Sequence, residues 1–181
     1  LASKNAVNHD AIAAIDALRS DGVATVLVTG RIEAELGRRF PGLADHFDAI
    51  VTENGAVVAV GASSRLLAPP IESQLDTALA NNGIAYRRGQ VLLACNGTHS
   101  AEIADLVQRL GLDCQLVHNR AALMVLPAGV SKGQGLVAAL GELGLSPHNA
   151  IAIGDAENDL SLLRAVEVGV AVANSVPSLR D

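Results

Sequence analysis

Short apolar runs rich in Val, Ile and Ala recur along the chain and predict the strands of a buried sheet. Because these runs are continuous rather than alternating, they favour parallel strands that are covered on both faces. Apolar residues at helical spacing lie between them and predict helices. The predicted strands span residues 23–28, 49–51, 150–153 and 168–173, and the predicted helices span residues 10–20, 133–143 and 160–166. Strands that alternate with helices indicate an α/β fold built on a doubly wound parallel sheet.

The middle of the chain breaks this alternation. Pro69 and Pro70 end the first part of the pattern, and the segments that follow predict a helix, a strand, a helix and two strands. These segments span residues 71–82, 91–95, 100–110, 114–117 and 122–126. Their order indicates a small α+β domain, called the cap below, that is inserted into the α/β core. We therefore predict a discontinuous core at residues 1–61 and 127–181 and a cap at residues 62–126.

Composition and charge argue against several classes of protein. Half of the 181 residues are hydrophobic, which excludes an extended disordered chain. The net charge of −6 argues against a nucleic-acid or membrane-surface binder, because such proteins need a basic face. The two cysteines are too few for a disulfide framework or a zinc cluster, and no apolar run reaches the ~18 residues of a membrane span. We therefore expect a cytoplasmic protein without nucleic-acid or membrane partners.

The first candidate site lies where the predicted strand 23–28 ends. Thr29, Gly30 and Arg31 follow this strand directly, and open α/β sheets bind ligands outside the carboxyl ends of their strands. A hydroxyl followed by a backbone amide suits a phosphate oxygen. An ordinary strand-to-helix turn with Thr29 as a helix cap is the alternative.

Two further positions are candidates for binding. Asn54 follows the predicted strand 49–51 in the sequence Glu53-Asn54-Gly55, for which a simple hairpin turn is the alternative. Lys132 begins a predicted helix, although a cation at a helix N-terminus opposes the helix dipole. A bound anion beneath the lysine explains this position, and an exposed, solubilising lysine is the alternative.

The segment 154–159, with the sequence Gly-Asp-Ala-Glu-Asn-Asp, gathers carboxylates and an amide directly after the predicted strand 150–153. Without a cation these carboxylates would repel one another. Mg²⁺ prefers hard oxygen ligands and takes one or two carboxylates together with waters and phosphate oxygens. We favour a Mg²⁺ site here over the alternative, a helix-capping turn with Asp155 as the cap.

Taken in order, the segments TGR, ENGA, PAGVSKGQGL and AIGDAENDL resemble the haloacid dehalogenase superfamily, and more narrowly its Cof-type phosphatases with a C2 cap. The resemblance covers nearly the whole chain, and the GDAEND element preceded by Lys132 is its most specific part. It implies a Rossmann-like core with an inserted α+β cap. It also implies a Mg²⁺-dependent phosphomonoester hydrolase that acts on a small phosphorylated metabolite, such as a sugar phosphate, through an aspartyl-phosphate.

The resemblance implies a role for each candidate residue. Thr29 and Lys132 would be catalytic, the first binding the transferring phosphoryl group and the second neutralising its charge. Asp155 would ligate Mg²⁺ directly, and Asp159 would hold the waters of the metal or Lys132. The implied substrate-binding residues are Thr29, Gly30, Arg31, Asn54, Lys132 and Asn158. The cap residues that would contact the leaving group are Arg87, His118, Asn119 and Arg120, for each of which a solvated polar side chain is the alternative.

One element of the resemblance is missing. The first motif of the superfamily, Asp-x-Asp-Gly-Thr, supplies the nucleophile and is absent here, whereas Leu1-Ala2 matches what normally follows that motif. We therefore expect a fragment that is inactive alone and whose nucleophile precedes Leu1. Fusion to a further domain in a longer, full-length protein is compatible with this expectation. The alternative is a non-catalytic module of a larger ATP-binding protein, which binds a phosphometabolite or regulates without a nucleophile.

Overall fold

The apolar runs of the sequence form strands, and the amphipathic segments between them form helices. The computed structural model describes residues 2–3 and 6–179. The strands are β1 (Ala2–Ser3), β2 (Ala6–Val7), β3 (Val26–Val28), β4 (Ala49–Thr52), β5 (Val57–Val60), β6 (Ser63–Leu66), β7 (Tyr86–Arg88), β8 (Leu93–Asn96), β9 (Cys114–Asn119), β10 (Ala122–Pro127), β11 (Ile151–Gly154) and β12 (Val168–Ala171). The helices are α1 (His9–Ser20), α2 (Glu33–Arg39), α3 (Ser73–Asn81), α4 (Ser100–Arg109), α5 (Lys132–Glu142) and α6 (Leu160–Leu163). None of the helices in these residues is long and apolar enough to cross a membrane.

Two parallel strand pairs form the core. β3 runs parallel to β4, which continues into the antiparallel strands β5 and β6, and β11 runs parallel to β12. Within the described residues no hydrogen-bonded ladder joins β3 to β11, yet α5 packs beneath both, where Leu136 shares an apolar cluster with Val28 and Ala152. On the opposite face, Leu27 packs in a cluster with Leu36 of α2. The prediction of an α/β fold with parallel strands is confirmed.

Helix α5 approaches the turn after β4 so closely that only glycine fits at their contact. A Cβ at Gly135 would lie 2.5 Å from the Cγ1 of Val51 and 2.6 Å from the Cα of Gly55. A Cβ at Gly55 would lie 1.9 Å from the carbonyl oxygen of Ser131, and the φ of Gly55 is +104°. This close packing places the N-terminus of α5, which carries Lys132, directly beside the turn that carries Asn54.

Substituting alanine for two glycines of α5 is expected to change stability in opposite directions. Gly135→Ala should lower the free energy of unfolding by about 1–3 kcal/mol, because the added methyl overpacks the contact with β4. Gly141→Ala in the same helix should raise it by about 0.5–1 kcal/mol, since alanine favours helix and nothing lies within 4 Å of the new methyl. Urea unfolding of both variants measures the difference. Equal effects in the two variants would contradict the close approach.

The cap is a four-stranded antiparallel sheet with the order β7-β8-β10-β9, covered on one face by α3 and α4. Leu79 of α3 and Ile103 of α4 are fully buried with Leu123 of β10 in one apolar cluster. The predicted pattern of helix, strand, helix and two strands lacks β7, which is a short and largely exposed edge strand. The remaining cap elements match the predicted ones within a few residues.

The structure places the start of the cap later than the predicted residue 62. β6 pairs with β5 in the core sheet, so the segment that leads into the cap follows Leu66. The prediction missed this strand because its four residues are all exposed and carry no apolar run. β10, the last strand of the cap sheet, ends at Pro127.

The second face of the cap sheet lies on the core. Met124 and Leu126 of β10 share a buried cluster with Val57 of β5 and with Ile32 before α2. Residues two apart on a strand share a face, so the alternation along β10 sends Leu123 toward the cap helices and Met124 toward the core. The cap therefore covers the carboxyl ends of β3 and β4, where the candidate residues lie.

Candidate active site

The loops that follow β3 and β4 lie side by side at the carboxyl ends of the strands. The N–H of Thr29 donates to the carbonyl of Val51 at 2.8 Å, which extends the ladder beyond β3. The N–H of Asn54 donates to the carbonyl of Thr29 at 3.1 Å. The N–H of Glu53 donates to the carbonyl of Arg31 at 2.9 Å. These bonds bring two of the predicted binding segments together where α/β sheets bind ligands.

Gly30 and Arg31 have different surroundings. A Cβ at Gly30 would lie 3.2 Å from the Sδ of Met124 and 3.4 Å from the Nδ2 of Asn158, so the cap and the loop after β11 both reach this backbone. The Arg31 guanidinium instead lies over the Phe40 ring, 5.3 Å from its centroid. Of these two predicted substrate-binding residues, Gly30 faces the site and Arg31 packs on the end of α2.

Lys132 is buried, which excludes the alternative of an exposed, solubilising lysine. Lys132 is 6% exposed, and its Nζ lies 2.5 Å from the Oδ1 of Asp159, which is 5% exposed. The Oδ2 of Asp159 accepts from the N–H groups of Asp155 and Ala156 at 2.8 and 3.0 Å. Burial by itself raises the pKa of Asp159, but the Lys132 ammonium and the two N–H groups hold this pKa below its usual value. Of the two roles implied for Asp159, the structure contains the contact with Lys132.

Asp155 turns its carboxylate toward the cap. The Nη2 of Arg120 donates to the Oδ2 of Asp155 at 2.5 Å. Arg120 lies in the turn between β9 and β10 with a φ of +53°, in the left-handed region that is unfavourable for residues other than glycine. The turn thus places a cation on the carboxylate for which the sequence implied a metal.

Two buried amide side chains join the turn after β4 to the loop after β11. The Nδ2 of Asn158 donates to the Oδ1 of Asn54 at 2.9 Å. The Oδ1 of Asn158 is one of two buried side-chain nitrogen or oxygen atoms without a hydrogen-bond partner among the described residues. An unpaired buried oxygen costs free energy, and in the same loop as Asp155 it is a hard donor of the kind that Mg²⁺ prefers. The carboxylate of Asp155 and the Oδ1 of Asn158 are therefore two oxygen donors that fit Mg²⁺. Residues 2–3 and 6–179 contain no group of three or more His, Cys, Asp or Glu side chains that could hold a metal ion.

The faces of the cap sheet separate two of the predicted cap residues. Asn119 lies opposite Ala122 in the β9–β10 register, on the face that carries Met124 and covers the core. His118 is the next residue back along β9 and therefore points to the other face. There its Nε2 lies 3.3 Å from the Oγ of Ser100 at the start of α4. Asn119 is on the site side of the cap, and His118 is not.

The two predicted cap arginines contact different parts of the core. Arg120 reaches Asp155 at the centre of the candidate site, whereas Arg87 pairs with Glu35 of α2 at 2.5 Å. The Arg87 side chain is largely exposed, so this pair lies at the margin of the interface between cap and core. Arg120 is therefore the cap cation that the fold brings to the candidate residues.

Two contacts of the site were not predicted from the sequence. Glu53 accepts hydrogen bonds from cap residues 90–92, and Met124 covers Gly30. The signal for Glu53 was its place beside Asn54 in a predicted turn. No local pattern indicates its partners, because 37 to 39 positions separate Glu53 from them. Met124 lies in an apolar strand and carries no signal beyond burial.

Comparison with known proteins places these residues in a family context. A family model described as haloacid dehalogenase-like hydrolase matches residues 100–181. A protein named phosphoglycolate phosphatase from Methanoculleus marisnigri is 30% identical over 183 aligned positions, which cover 93% of this chain and 77% of that protein.

Solved structures share the fold at low sequence identity. A haloacid dehalogenase-like hydrolase from Bacteroides thetaiotaomicron superposes with a TM-score of 0.80 at 17% identity, covering 99% of this chain and 86% of that one. The sucrose-phosphatase from Synechocystis sp. PCC6803, solved in complex with sucrose and phosphate, superposes with a TM-score of 0.71 at 17% identity. That match covers 97% of this chain and 81% of the sucrose-phosphatase.

Proposed function

Since the chain belongs to the haloacid dehalogenase-like hydrolases, we propose that it is the phosphatase domain of a Mg²⁺-dependent phosphomonoesterase. The observation that carries the proposal is the buried Lys132–Asp159 pair beneath a loop that presents Asp155 and the unpaired Oδ1 of Asn158. Phosphoryl transfer depends on positioning and charge neutralisation, which needs cations and hydrogen-bond donors at one place. The relatives give no support to the alternative of a non-catalytic regulatory module.

Asp155 and Asn158 are the residues that would hold Mg²⁺. The two oxygens of Asp159 are already bound, one to Lys132 and the other to backbone N–H groups, so Asp159 is better suited to support the loop than to ligate the metal. When bound, Mg²⁺ would neutralise charge on phosphate oxygens.

Thr29 and Lys132 would bind the phosphoryl group. The Oγ1 of Thr29 accepts from the N–H of Arg31 at 3.2 Å, which leaves its hydroxyl proton to donate to a phosphate oxygen. The ammonium of Lys132 has three donors, and the bond to Asp159 fixes its position. We propose these two residues as the catalytic pair and place Gly30, Asn54 and Asn158 around the same group.

The substrate we propose is a small phosphorylated metabolite. Met124 covers Gly30, which leaves little room above the phosphate, and this supports a small leaving group. Arg120 beside Asp155 supports a leaving group that carries an anion. Among such compounds a phosphorylated hydroxy acid, as in the name of the Methanoculleus relative, suits Arg120 better than a neutral sugar phosphate. We further propose that the domain works in the cytoplasm, and the net charge of −6 supports the absence of nucleic-acid and membrane partners.

Asp155→Asn is expected to weaken Mg²⁺ binding by about tenfold or more, because the site offers only one or two carboxylates to the metal. Glu157→Gln is the matched control, since it removes the same charge from an exposed position of the same loop. Titration calorimetry with MgCl₂ measures both variants against the parent protein. Equal affinity in the parent protein and Asp155→Asn would refute the metal assignment.

A further inference from the structure

Glu53 is a fully buried carboxylate of the core that binds the backbone of the cap. Its exposed fraction is 0%. Its Oε1 accepts from the N–H of Gln90 at 2.8 Å, and its Oε2 accepts from Val91 at 2.8 Å and from Leu92 at 3.2 Å. A carboxylate that accepts three backbone N–H groups forms charge-assisted bonds, which are about twice as strong as neutral ones. This contact therefore joins two separate parts of the fold through a carboxylate that is shielded from water.

Both sides of the contact have backbone shapes that suit it. Glu53 and Asn54 have φ values of +52° and +60°, a left-handed conformation that costs free energy at residues other than glycine. On the cap side, a Cβ at Gly89 would lie 2.5 Å from the Cδ and from both carboxylate oxygens of Glu53. A strained turn on one side and an obligatory glycine on the other indicate a contact that the fold maintains at a cost.

The turn that holds Glu53 also holds a candidate site residue. The N–H of Glu53 donates to the carbonyl of Arg31. The next residue, Asn54, accepts the hydrogen bond from Asn158. Any displacement of the Glu53 backbone therefore moves Asn54 relative to Asn158. Through these hydrogen bonds the turn connects the cap to the loop after β11.

Three side-chain pairs between cap and core lie at the surface. Arg87 pairs with Glu35, Gln90 with Glu33 and Arg120 with Asp155. The side chains of Arg87 and Arg120 are 59% and 61% exposed. Exposed ion pairs contribute little to stability and are screened by salt. The carboxylate of Glu53, in contrast, is buried, and its contact is therefore screened less by salt.

We propose that Glu53 anchors the cap over the candidate site through its bonds to the backbone of residues 90–92. Its carboxylate holds residues 89–92 at a fixed distance from the turn after β4. The apolar contacts of Met124 also belong to this interface. The proposal does not depend on the substrate or on the metal, because it concerns only contacts within the chain.

Hydrogen–deuterium exchange of the 181-residue chain tests the proposal directly. In Glu53→Gln the amide nitrogen of the new side chain faces a backbone N–H, so the three acceptor bonds cannot all form. The amides of Gln90, Val91 and Leu92 are expected to exchange on the order of 10- to 100-fold faster. The amides of Leu123 and Val125 inside the cap should keep their protection. In the matched control Glu35→Gln, which removes a surface pair, all five amides should be unchanged.

Two further measurements keep the test decisive if Glu53→Gln unfolds. Gly89→Ala keeps the carboxylate but places a methyl against it, and it should raise exchange at the same three amides. In the parent protein, 1 M NaCl reduces the Debye length to about 3 Å and screens the surface pairs. The three amides should nevertheless stay protected at this salt concentration. Rapid exchange in salt, or exchange in Gly89→Ala that is unchanged or equally raised throughout the cap, would overturn the proposal.

Discussion

Lys132→Met is expected to lower the free energy of unfolding by about 3–5 kcal/mol, because it leaves the buried carboxylate of Asp159 without its cation. The structure buries both members of this pair, with the Nζ of Lys132 2.5 Å from the Oδ1 of Asp159. The two N–H groups that Asp159 also accepts cannot replace a full positive charge. Urea unfolding at pH 7 measures the loss.

Two comparisons separate this effect from a general loss of packing. The double variant Lys132→Met/Asp159→Asn should recover most of the lost stability, since it removes both charges together. Arg65→Met breaks an exposed pair between β6 and Glu142, which lies in α5 as Lys132 does. This variant should lower the free energy of unfolding by about 1 kcal/mol or less. Equal losses in Lys132→Met and Arg65→Met would contradict the buried pair.

The stability difference between the parent protein and Lys132→Met should depend on pH. In the parent protein the pKa of Asp159 lies below its usual value, so its contribution is present above the unfolded pKa of about 3.9 and is lost as the pH falls through the folded pKa. In Lys132→Met the buried carboxylate of Asp159 has no cation beside it. Protonation at low pH removes its charge and with it the free-energy cost of burying that charge. The difference should therefore shrink as the pH falls below about 4.

The 181-residue chain by itself is expected to show no measurable hydrolysis of p-nitrophenyl phosphate with Mg²⁺. Phosphoryl transfer through an aspartyl-phosphate needs a free carboxylate at the site. Glu53, Asp155 and Asp159 are each bound to a cation or to backbone N–H groups, and no Asp-x-Asp sequence occurs in the chain. Cys95 cannot replace them, because burial raises the pKa of its thiol to about 11.

Adding a strand with an Asp-x-Asp-Gly-Thr sequence before Leu1 is expected to create activity at least about 10³-fold above background. β3 and β11 both pack on α5 but share no ladder in the described residues, so the added strand has two backbone edges to pair with. The matched control carries the same strand with both aspartates changed to asparagine and should stay inactive. Turnover by the unextended chain would show that the nucleophile lies within its residues.

Apolar patterning predicted the core strands β3, β4, β11 and β12 and missed the polar edge strands β6 and β7. β4 and β11 were found because their sequences, AIVT and IAIG, are short apolar runs, although Ile151 and Ile153 of β11 are exposed. β6 and β7 were missed because they are edge strands whose sequences, SSRL and YRR, carry no apolar run. Edge strands keep one side in water, and polar side chains there protect against unwanted pairing. Their positions depend on the neighbouring strand rather than on their own composition.

The sequence by itself determined which kinds of side chain follow each core strand. Thr29, Asn54 and Asp155 each stand within three residues of the end of an apolar run. Because the carboxyl ends of parallel strands meet at one edge, their grouping follows from local pattern and topology. Local periodicity also placed Lys132 at the start of a helix. These features depend on residues that are close in sequence.

Only the tertiary structure decided which of these side chains bind each other. Lys132 and Asp159 are 27 positions apart, and Asn54 and Asn158 are 104 positions apart. Their contacts depend on the close approach of α5 to the turn after β4, which the pairing of Gly55 with Gly135 permits. Hydrophobic pattern specifies that a surface is buried but not what it is buried against. The partner of a buried charge is therefore set by the packing of distant elements, which no local sequence pattern contains.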